Sequence, residues 1–271
     1  MVFASASTPL GLVDPAKVSV TIDNMRSFHP DRVRLEGDDP ISLAILIDVS
    51  GSAKDLIPAL QQDLPTWAAT SLTSKDRISV YALDCALAHP MGFTPPDASR
   101  LAAELNIAIN SPDIHGGKSH AACSDSLHFR DALNLVSEQM AHLPGRRVIL
   151  AVTNGYDGGS YIKEPELLSQ LRATYVTIFG LTDADPPALP FLFLAPLTAG
   201  SLVRASSKQI PKDLDQFLTE LQSRFIIQFP EPANLPSGSH HVKIRINSWK
   251  AAFVEPAGLQ VTTESLSPEA P

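Results

Sequence analysis

Three hard oxygen donors stand at alternate positions in Asp48-Val49-Ser50-Gly51-Ser52, just where the apolar run Ile45-Leu46-Ile47 ends. One carboxylate and two hydroxyls suit Mg²⁺ or a similar cation whose shell is completed by water. The plainer alternative is a strand-to-helix turn in which Ser50 or Ser52 caps the following helix. If Leu43 to Ile47 is a central parallel strand, the triplet lies on the loop at its carboxyl end. Open α/β sheets hold their ligands there.

Other residues capable of chemistry carry weaker patterns. His115 and His120, with Asp113 nearby, match no zinc spacing and read as solvated loop histidines. His240 and His241 precede a strand, where neighbouring side chains face opposite ways, so joint ligation is not expected. Gly116-Gly117-Lys118-Ser119 resembles the end of a phosphate loop, but Pro112 stands at the leading glycine and no apolar strand precedes it. Ser50 has no Gly-x-Ser-x-Gly surround, and no histidine has a motif-based claim to be its base. The expectation is a protein that is not an enzyme. Tyr156, Tyr161 and Phe191 read as core or plain loop rather than as site residues.

These residues need a scaffold, and 271 residues suffice for a sizeable core. Hydrophobic content of 44% against 18% charged residues reads as globular. A net charge of −8 with no basic run argues against a nucleic-acid partner. The 23 prolines point to long, punctuated loops, and no apolar run approaches a membrane span. Met1 to Pro9 is short and lacks a basic n-region, so it is expected to be no complete signal peptide; Ala4-Ser5-Ala6 fits either a cleavage remnant or a disordered end. Cys85 and Cys123 sit in no zinc spacing; they read as two unpaired thiols, or as a disulfide if the fold brings them together.

Periodicity supplies the elements. Residues 17–23 and 31–37 alternate as strands, and 41–47 is nearly continuous apolar, as for a strand covered on both faces. Residues 53–72 carry a helical stripe that Pro65 is expected to kink or split. Strand 77–83 follows, with a return strand at 87–93, helices at 97–109 and 129–143, and a polar loop between them. Strand 147–153, helix 164–173, strand 175–181, a short helix at 189–197, strand 201–205 and helix 212–224 complete the alternation. Strands at 225–229, 241–247 and 252–261 then alternate like exposed antiparallel ones. The fold class is therefore α/β: a doubly wound, mainly parallel sheet flanked by helices, with a small accessory β element from the N- and C-terminal strands.

The ordered set ILIDVSGS, DRISVYALD, RDAL at a helix start, RRVILAVTNG and YVTIFGL resembles a von Willebrand factor type A (VWA) domain, a Rossmann-like fold, over about residues 40 to 225. The flank LTAGSLVRASSKQIPKDLDQFLTELQSRFIIQFPEP, followed by HHVKIRI and GLQV, is similar to the C-terminal part of acidobacterial VWFA-related proteins. The resemblance implies a VWA domain at 40–225; the strand alternation and composition around it give an accessory segment at 1–39, accessory strands at 226–263 and a disordered tail at 264–271. It also implies an extracytoplasmic protein, periplasmic or secreted.

In that family the triplet, a threonine from a second loop and an aspartate from a third form a metal-ion-dependent adhesion site. Carried over here, the ligands are Asp48, Ser50 and Ser52, then Ser126 (with Ser124 as the alternative hydroxyl) and Asn154. Asp125 and Asp157 would support them from behind, as would Ser124. The chain departs from the pattern twice: Asn154 replaces the aspartate, and the threonine has no direct counterpart. Fewer charged ligands mean weaker binding, so the resemblance implies a millimolar-class Mg²⁺ site (or Mn²⁺ or Ca²⁺), or an empty one. It places Cys85 and Cys123 on the same rim, where a disulfide closing some forty residues contributes about 3–4 kcal/mol. The implied function is a binding module that holds a partner protein through an acidic residue. The alternative is a metal-free assembly protein that recognises partners through its accessory sheet.

Overall fold

The computed structural model describes residues 2–6, 14–37, 39–51, 53–89, 91–111, 128–230, 232, 235–236, 238–246, 253–254 and 259–261. The chain divides into two compact units, Met1–Glu36 with Ser223–Pro271, and Gly37–Gln222. It opens with β1 (Val2–Ala6), β2 (Val18–Ile22) and β3 (Arg32–Leu35). The larger unit then runs β4 (Ile41–Asp48), α1 (Ile57–Ser71), β5 (Arg77–Leu83), β6 (Leu87–Ala88), α2 (Ala98–Ile109) and α3 (Phe129–Met140). It continues with β7 (Arg146–Val152), α4 (Glu164–Ala173), β8 (Val176–Thr182), α5 (Leu189–Leu197), β9 (Leu202–Arg204) and α6 (Ile210–Gln222). The chain closes with β10 (Phe225–Gln228), β11 (Gly238–His240), β12 (Val242–Ile246), β13 (Phe253–Val254) and β14 (Leu259–Val261).

In the larger unit all eight residues of β4 are buried, as a central strand requires. The sheet order is β6-β5-β4-β7-β8-β9, parallel except where β6 returns against β5. Alternation along β4 sorts its side chains onto two faces. Leu43, Ile45 and Ile47 pack with Leu60 of α1, Leu105 of α2 and Phe217 of α6. Ala44 and Leu46 join Leu133 of α3, Leu171 of α4 and Phe191 of α5. Each such side chain contributes about 1.5–3 kcal/mol when fully buried. The chain leaves β4 toward β5 on one side and β7 toward β8 on the other, so the topological switch lies between β4 and β7.

Two local expectations need correction. Helix α1 is not split at Pro65 but runs from Ile57 to Ser71. Pro65 is buried beside Leu64 and Ala68, and this packing offsets the backbone bond that proline removes. The return strand stops at Ala88, because His89 stacks on Tyr81 at 4.2 Å and its Nε2 lies 2.9 Å from Ser79 Oγ. Ser79 is fully buried and donates to the Met91 carbonyl, so this serine–histidine pair is structural. Among the described residues no helix is long and apolar enough to cross a membrane.

The smaller unit pairs the two ends of the chain in antiparallel sheets, β13-β1-β10-β3, β12-β2 and β11-β14. Val18, Val20 and Ile22 of β2 pack with Phe225 and Ile227 of β10 and with Val242 and Ile244 of β12. Arg224 holds Glu36 through two buried charge-assisted bonds of 2.6 and 2.8 Å, where the chain leaves this unit and where it returns. Neither charge is left without a counter-ion.

A second clasp in this unit titrates. His240 Nδ1 lies 2.7 Å from Asp23 Oδ2, and its Nε2 lies 2.7 Å from the Pro236 carbonyl. A carboxylate and a carbonyl can only accept, so both ring nitrogens donate and the imidazole is charged. The bond to Asp23, helped by the Pro236 carbonyl, raises the His240 pKa. The bond from His240 and the His241 backbone N–H lower that of Asp23. The His240 contribution is complete below its ordinary 6.5 and is lost as pH rises through the raised value. The Asp23 contribution is complete above 3.8 and is lost as pH falls through the lowered value. Thermal melts should therefore show a plateau between these ordinary values and a decline on the alkaline side. That alkaline decline should be shallower in His240→Gln; an identical decline in both proteins would reject the clasp.

Candidate functional site

The carboxyl ends of β4 and β7 meet at the switch point, and the β4–β7 register aligns Ile47 with Val152. Asp48 and Thr153 each come one residue later, so their side chains share the face of Leu46 and Ala151. Asp48 is 1% exposed. Its Oδ1 accepts from the Ser50 backbone N–H at 3.0 Å and from the Ser50 hydroxyl at 2.6 Å. Its Oδ2 accepts from the Thr153 hydroxyl at 2.8 Å, and Thr153 Oγ1 in turn accepts from the Gly155 N–H at 3.0 Å. The Ser50 hydroxyl proton is thus spent on Asp48, which leaves two oxygen lone pairs on an exposed residue. A cation requires just that of a hydroxyl ligand, and the carboxylate behind it makes the oxygen a better donor.

Asn154 begins the third loop. Its Oδ1 accepts from the Tyr156 N–H at 2.9 Å, closing an Asx turn, and its carbonyl accepts from the Ala188 N–H at 2.8 Å. An amide oxygen has two lone pairs, so one remains for a ligand. Gly155 has φ +81°, and its backbone rests against Phe191. Below lies an apolar floor in which Phe129 and Phe191 meet edge to face at 5.6 Å.

Asp157 is turned to other work. Its carboxylate accepts from Ser160 Oγ at 2.5 Å, from the Arg130 N–H at 3.2 Å and from Arg130 Nε at 2.7 Å. Burial pushes its pKa up, but the Ser160 hydroxyl and Arg130 outweigh this and hold it below the usual carboxylate range. Its charge is balanced by Arg130. Asp131 accepts from the Tyr161 and Ile162 N–H groups, so the first turn of α3 is hydrogen-bonded to Asp157, Ser160, Tyr161 and Ile162.

Of the residues expected in the site, Asp48, Ser50 and Asn154 stand together at the switch point. Ser52, Ser124, Asp125 and Ser126 lie outside the described residues, as do His115, His120 and the glycines near them. Cys85, two residues beyond the Leu83 that pairs with Asp48, is disulfide-bonded; Cys123 lies outside the described residues. Among the described residues no group of three or more His, Cys, Asp or Glu side chains could hold a metal. Sequence reasoning missed Thr153. The signal was the strand parity of RRVILAVT, which puts Thr153 on the Asp48 side of the sheet.

The donor set of one carboxylate, hydroxyls and an amide oxygen is chemically that of a weak hard-cation site. Comparison with known proteins bears on the scaffold. No family model matches the chain, and no curated protein matches it. Proximal thread matrix protein 1 from the mussel byssus is similar in structure, with TM-score 0.55 at 11% identity, covering 73% of this chain and 50% of that one. A second structure of it, with a zinc-occupied MIDAS motif, gives TM-score 0.53 at 12% identity over 68% of this chain and 48% of that one. The chain therefore spans about half of that protein. An aerotolerance-related membrane protein from Bacteroides fragilis, at 14% identity and TM-score 0.48, is covered over 98% of its length by 66% of this chain. At such identities the likeness speaks to architecture, and the larger unit has the VWA/Rossmann-like fold, a mainly parallel six-stranded sheet between two layers of helices.

Proposed function

We propose that the chain is a non-enzymatic binding module that holds a divalent cation at the switch point and docks a partner protein through an acidic residue. The observation that carries this is the hydrogen-bond pattern at Asp48: both carboxylate oxygens hold neighbouring donors, and the exposed Ser50 gives its only side-chain proton to Asp48 and keeps its lone pairs. Ser50 and Asn154 would hold the cation directly, with Asp48 behind them; Ser52 and Ser126 are the further candidates. A bound cation would supply the positive charge that a partner carboxylate needs on an otherwise acidic unit. The net charge of −8 falls wholly in Gly37–Gln222. Mg²⁺ is the best match to this donor set, with Mn²⁺ and Ca²⁺ as substitutes.

The resemblance to acidobacterial VWFA-related proteins rests on the C-terminal flank, and it supports the proposal of an extracytoplasmic location. The disulfide at Cys85 supports an oxidising compartment. A metal-free reading draws support from the smaller unit, where β3 forms an edge of the four-stranded sheet. A partner strand could add there.

Calorimetric titration of Mg²⁺ and Mn²⁺ into EDTA-stripped protein decides between them. Saturable heat in the millimolar range is expected, tightened about tenfold or more in Asn154→Asp. In that variant one oxygen keeps the Asx turn, and the added charge gains about 1–4 kcal/mol at surface dielectrics. Absence of saturable heat up to tens of millimolar in both proteins would sink the cation and leave the sheet edge as the binding surface.

A further inference from the structure

The smaller unit carries a polar face that the cation site does not use. Alternation along β2 sends Val18, Val20 and Ile22 into the core and leaves Ser19 and Thr21 on the opposite side. In β12, Val242 and Ile244 pack into the same core, so Lys243 and Arg245 point the other way and are exposed. The register sets Lys243 against Thr21 and Arg245 against Ser19. On the far side of β2, Val20 and Phe28 exchange two backbone hydrogen bonds, and Phe28 packs edge to face on Phe229 beside that core. Its exposed neighbours Ser27 and His29 therefore stand on the outer side, and Thr21 and Ser27 share a hydrogen bond of 2.7 Å. The result is two rows, Lys243-Thr21-Ser27 and Arg245-Ser19-His29, with the two cations about 6.8 Å apart along the strand.

Charge on this face is one-sided. β2, β12 and residues 24–30 contain no Asp or Glu, and among the described residues neither Lys243 nor Arg245 has an ion-pair partner. Asp23, the acid at the end of β2, is held by His240 at 2.7 Å. Two uncompensated cations on a protein of net charge −8 favour an anionic partner at this place. The guanidinium offers a planar fork to an oxyanion and the ammonium a point charge, while the hydroxyls beside them both donate and accept. The rows hold no Phe, Tyr or Trp, so they offer no platform on which nucleobases stack. They also lack the apolar anchor of a protein interface centre or an interfacial membrane contact. What fits is a ligand polar along its whole length, with anionic groups spaced among hydroxyls. We propose that this face is a docking surface for a linear anionic polysaccharide, and that it works without the cation site.

The test is the affinity of the full chain for labelled heparin, read by fluorescence anisotropy in EDTA, which removes any contribution from a bound cation. Heparin should bind saturably at low salt. Binding should fade as salt rises from about 0.1 to 1 M and the Debye length shrinks from about 10 to 3 Å. Lys243→Thr/Arg245→Thr keeps the strand propensity of both positions and should lower the affinity at least about tenfold. Lys75→Thr/Lys208→Thr removes the same charge from exposed positions of the larger unit and should leave the affinity within about twofold. An equal loss in both double variants would reduce the effect to net charge and overturn the proposal. So would heparin binding that is absent at low salt or indifferent to salt. Competition settles the class of ligand. Displacement of heparin by an equal charge of poly-L-glutamate would assign the face to an acidic protein. Phosphatidylglycerol vesicles that bind wild type but not Lys243→Thr/Arg245→Thr would assign it to lipid, and either result overturns the polysaccharide.

Discussion

Saturable Mg²⁺ heat should disappear in Asp48→Asn, with only a modest loss of stability. Asp48 carries the site's formal charge among the described residues, because Asp157 is neutralised by Arg130 at 2.7 Å. Removing that charge forfeits about 1–4 kcal/mol of attraction at surface dielectrics, which places a millimolar site beyond detection. The amide is the right probe because it conserves the hydrogen bonds. Its oxygen can still accept from both Ser50 donors, and its nitrogen can donate to Thr153 Oγ1. The Thr153 proton then needs a new acceptor, at about 1 kcal/mol. Alanine would instead leave at least three donors without an acceptor, one of them on the buried Thr153, at about 1–3 kcal/mol. Calorimetry and thermal melts of both variants separate charge from packing. Wild-type affinity in Asp48→Asn would show that no cation sits at Ser50.

The parts of the site that were legible in the sequence are those fixed by a strand. Eight buried residues in a row end on Asp48, so the position of the triplet at a carboxyl end followed from the apolar run alone. The β7 run ILAV likewise delivered Asn154 to the same rim. Asp157 looked equally eligible, because nothing local shows that Arg130, 27 positions earlier, takes its charge. Thr153 was passed over because a hydroxyl at a strand end has no motif. Only pairing with β4 reveals its acceptor. The split expected at Pro65 did not occur for the same reason: the rule against internal proline describes a helix by itself, and α1 is held by its neighbours. Helix α5 was visible as a hydrophobic segment, yet a segment apolar on all sides does not say which side the core will take.

Gly155→Ala tests whether the third loop must lie against α5. At φ +81° an L side chain is strained, at roughly 1–2 kcal/mol. The added Cβ would sit 2.2 Å from Phe191 Cβ and 2.6 Å from Cγ, and Phe191 is fully buried against Phe129. Neither ring can yield without disturbing the floor beneath Asp48, and overpacking of this kind costs about 1–3 kcal/mol. A drop in Tm of the order of 10 °C follows for a unit of this size. The consequence for binding is sharper than the loss of stability. Gly155 donates to Thr153, and its neighbour Asn154 is tied to Ala188, so lifting the glycine off Phe191 pulls on both. Cation affinity should therefore fall in the surviving folded protein, measured well below its Tm. Gly159, four residues further on, has open space around it, and Gly159→Ala should leave both melt and titration unchanged. If Gly155→Ala lowers Tm yet binds cation as wild type does, then Asn154 is not a ligand, and the site reduces to the hydroxyls around Asp48.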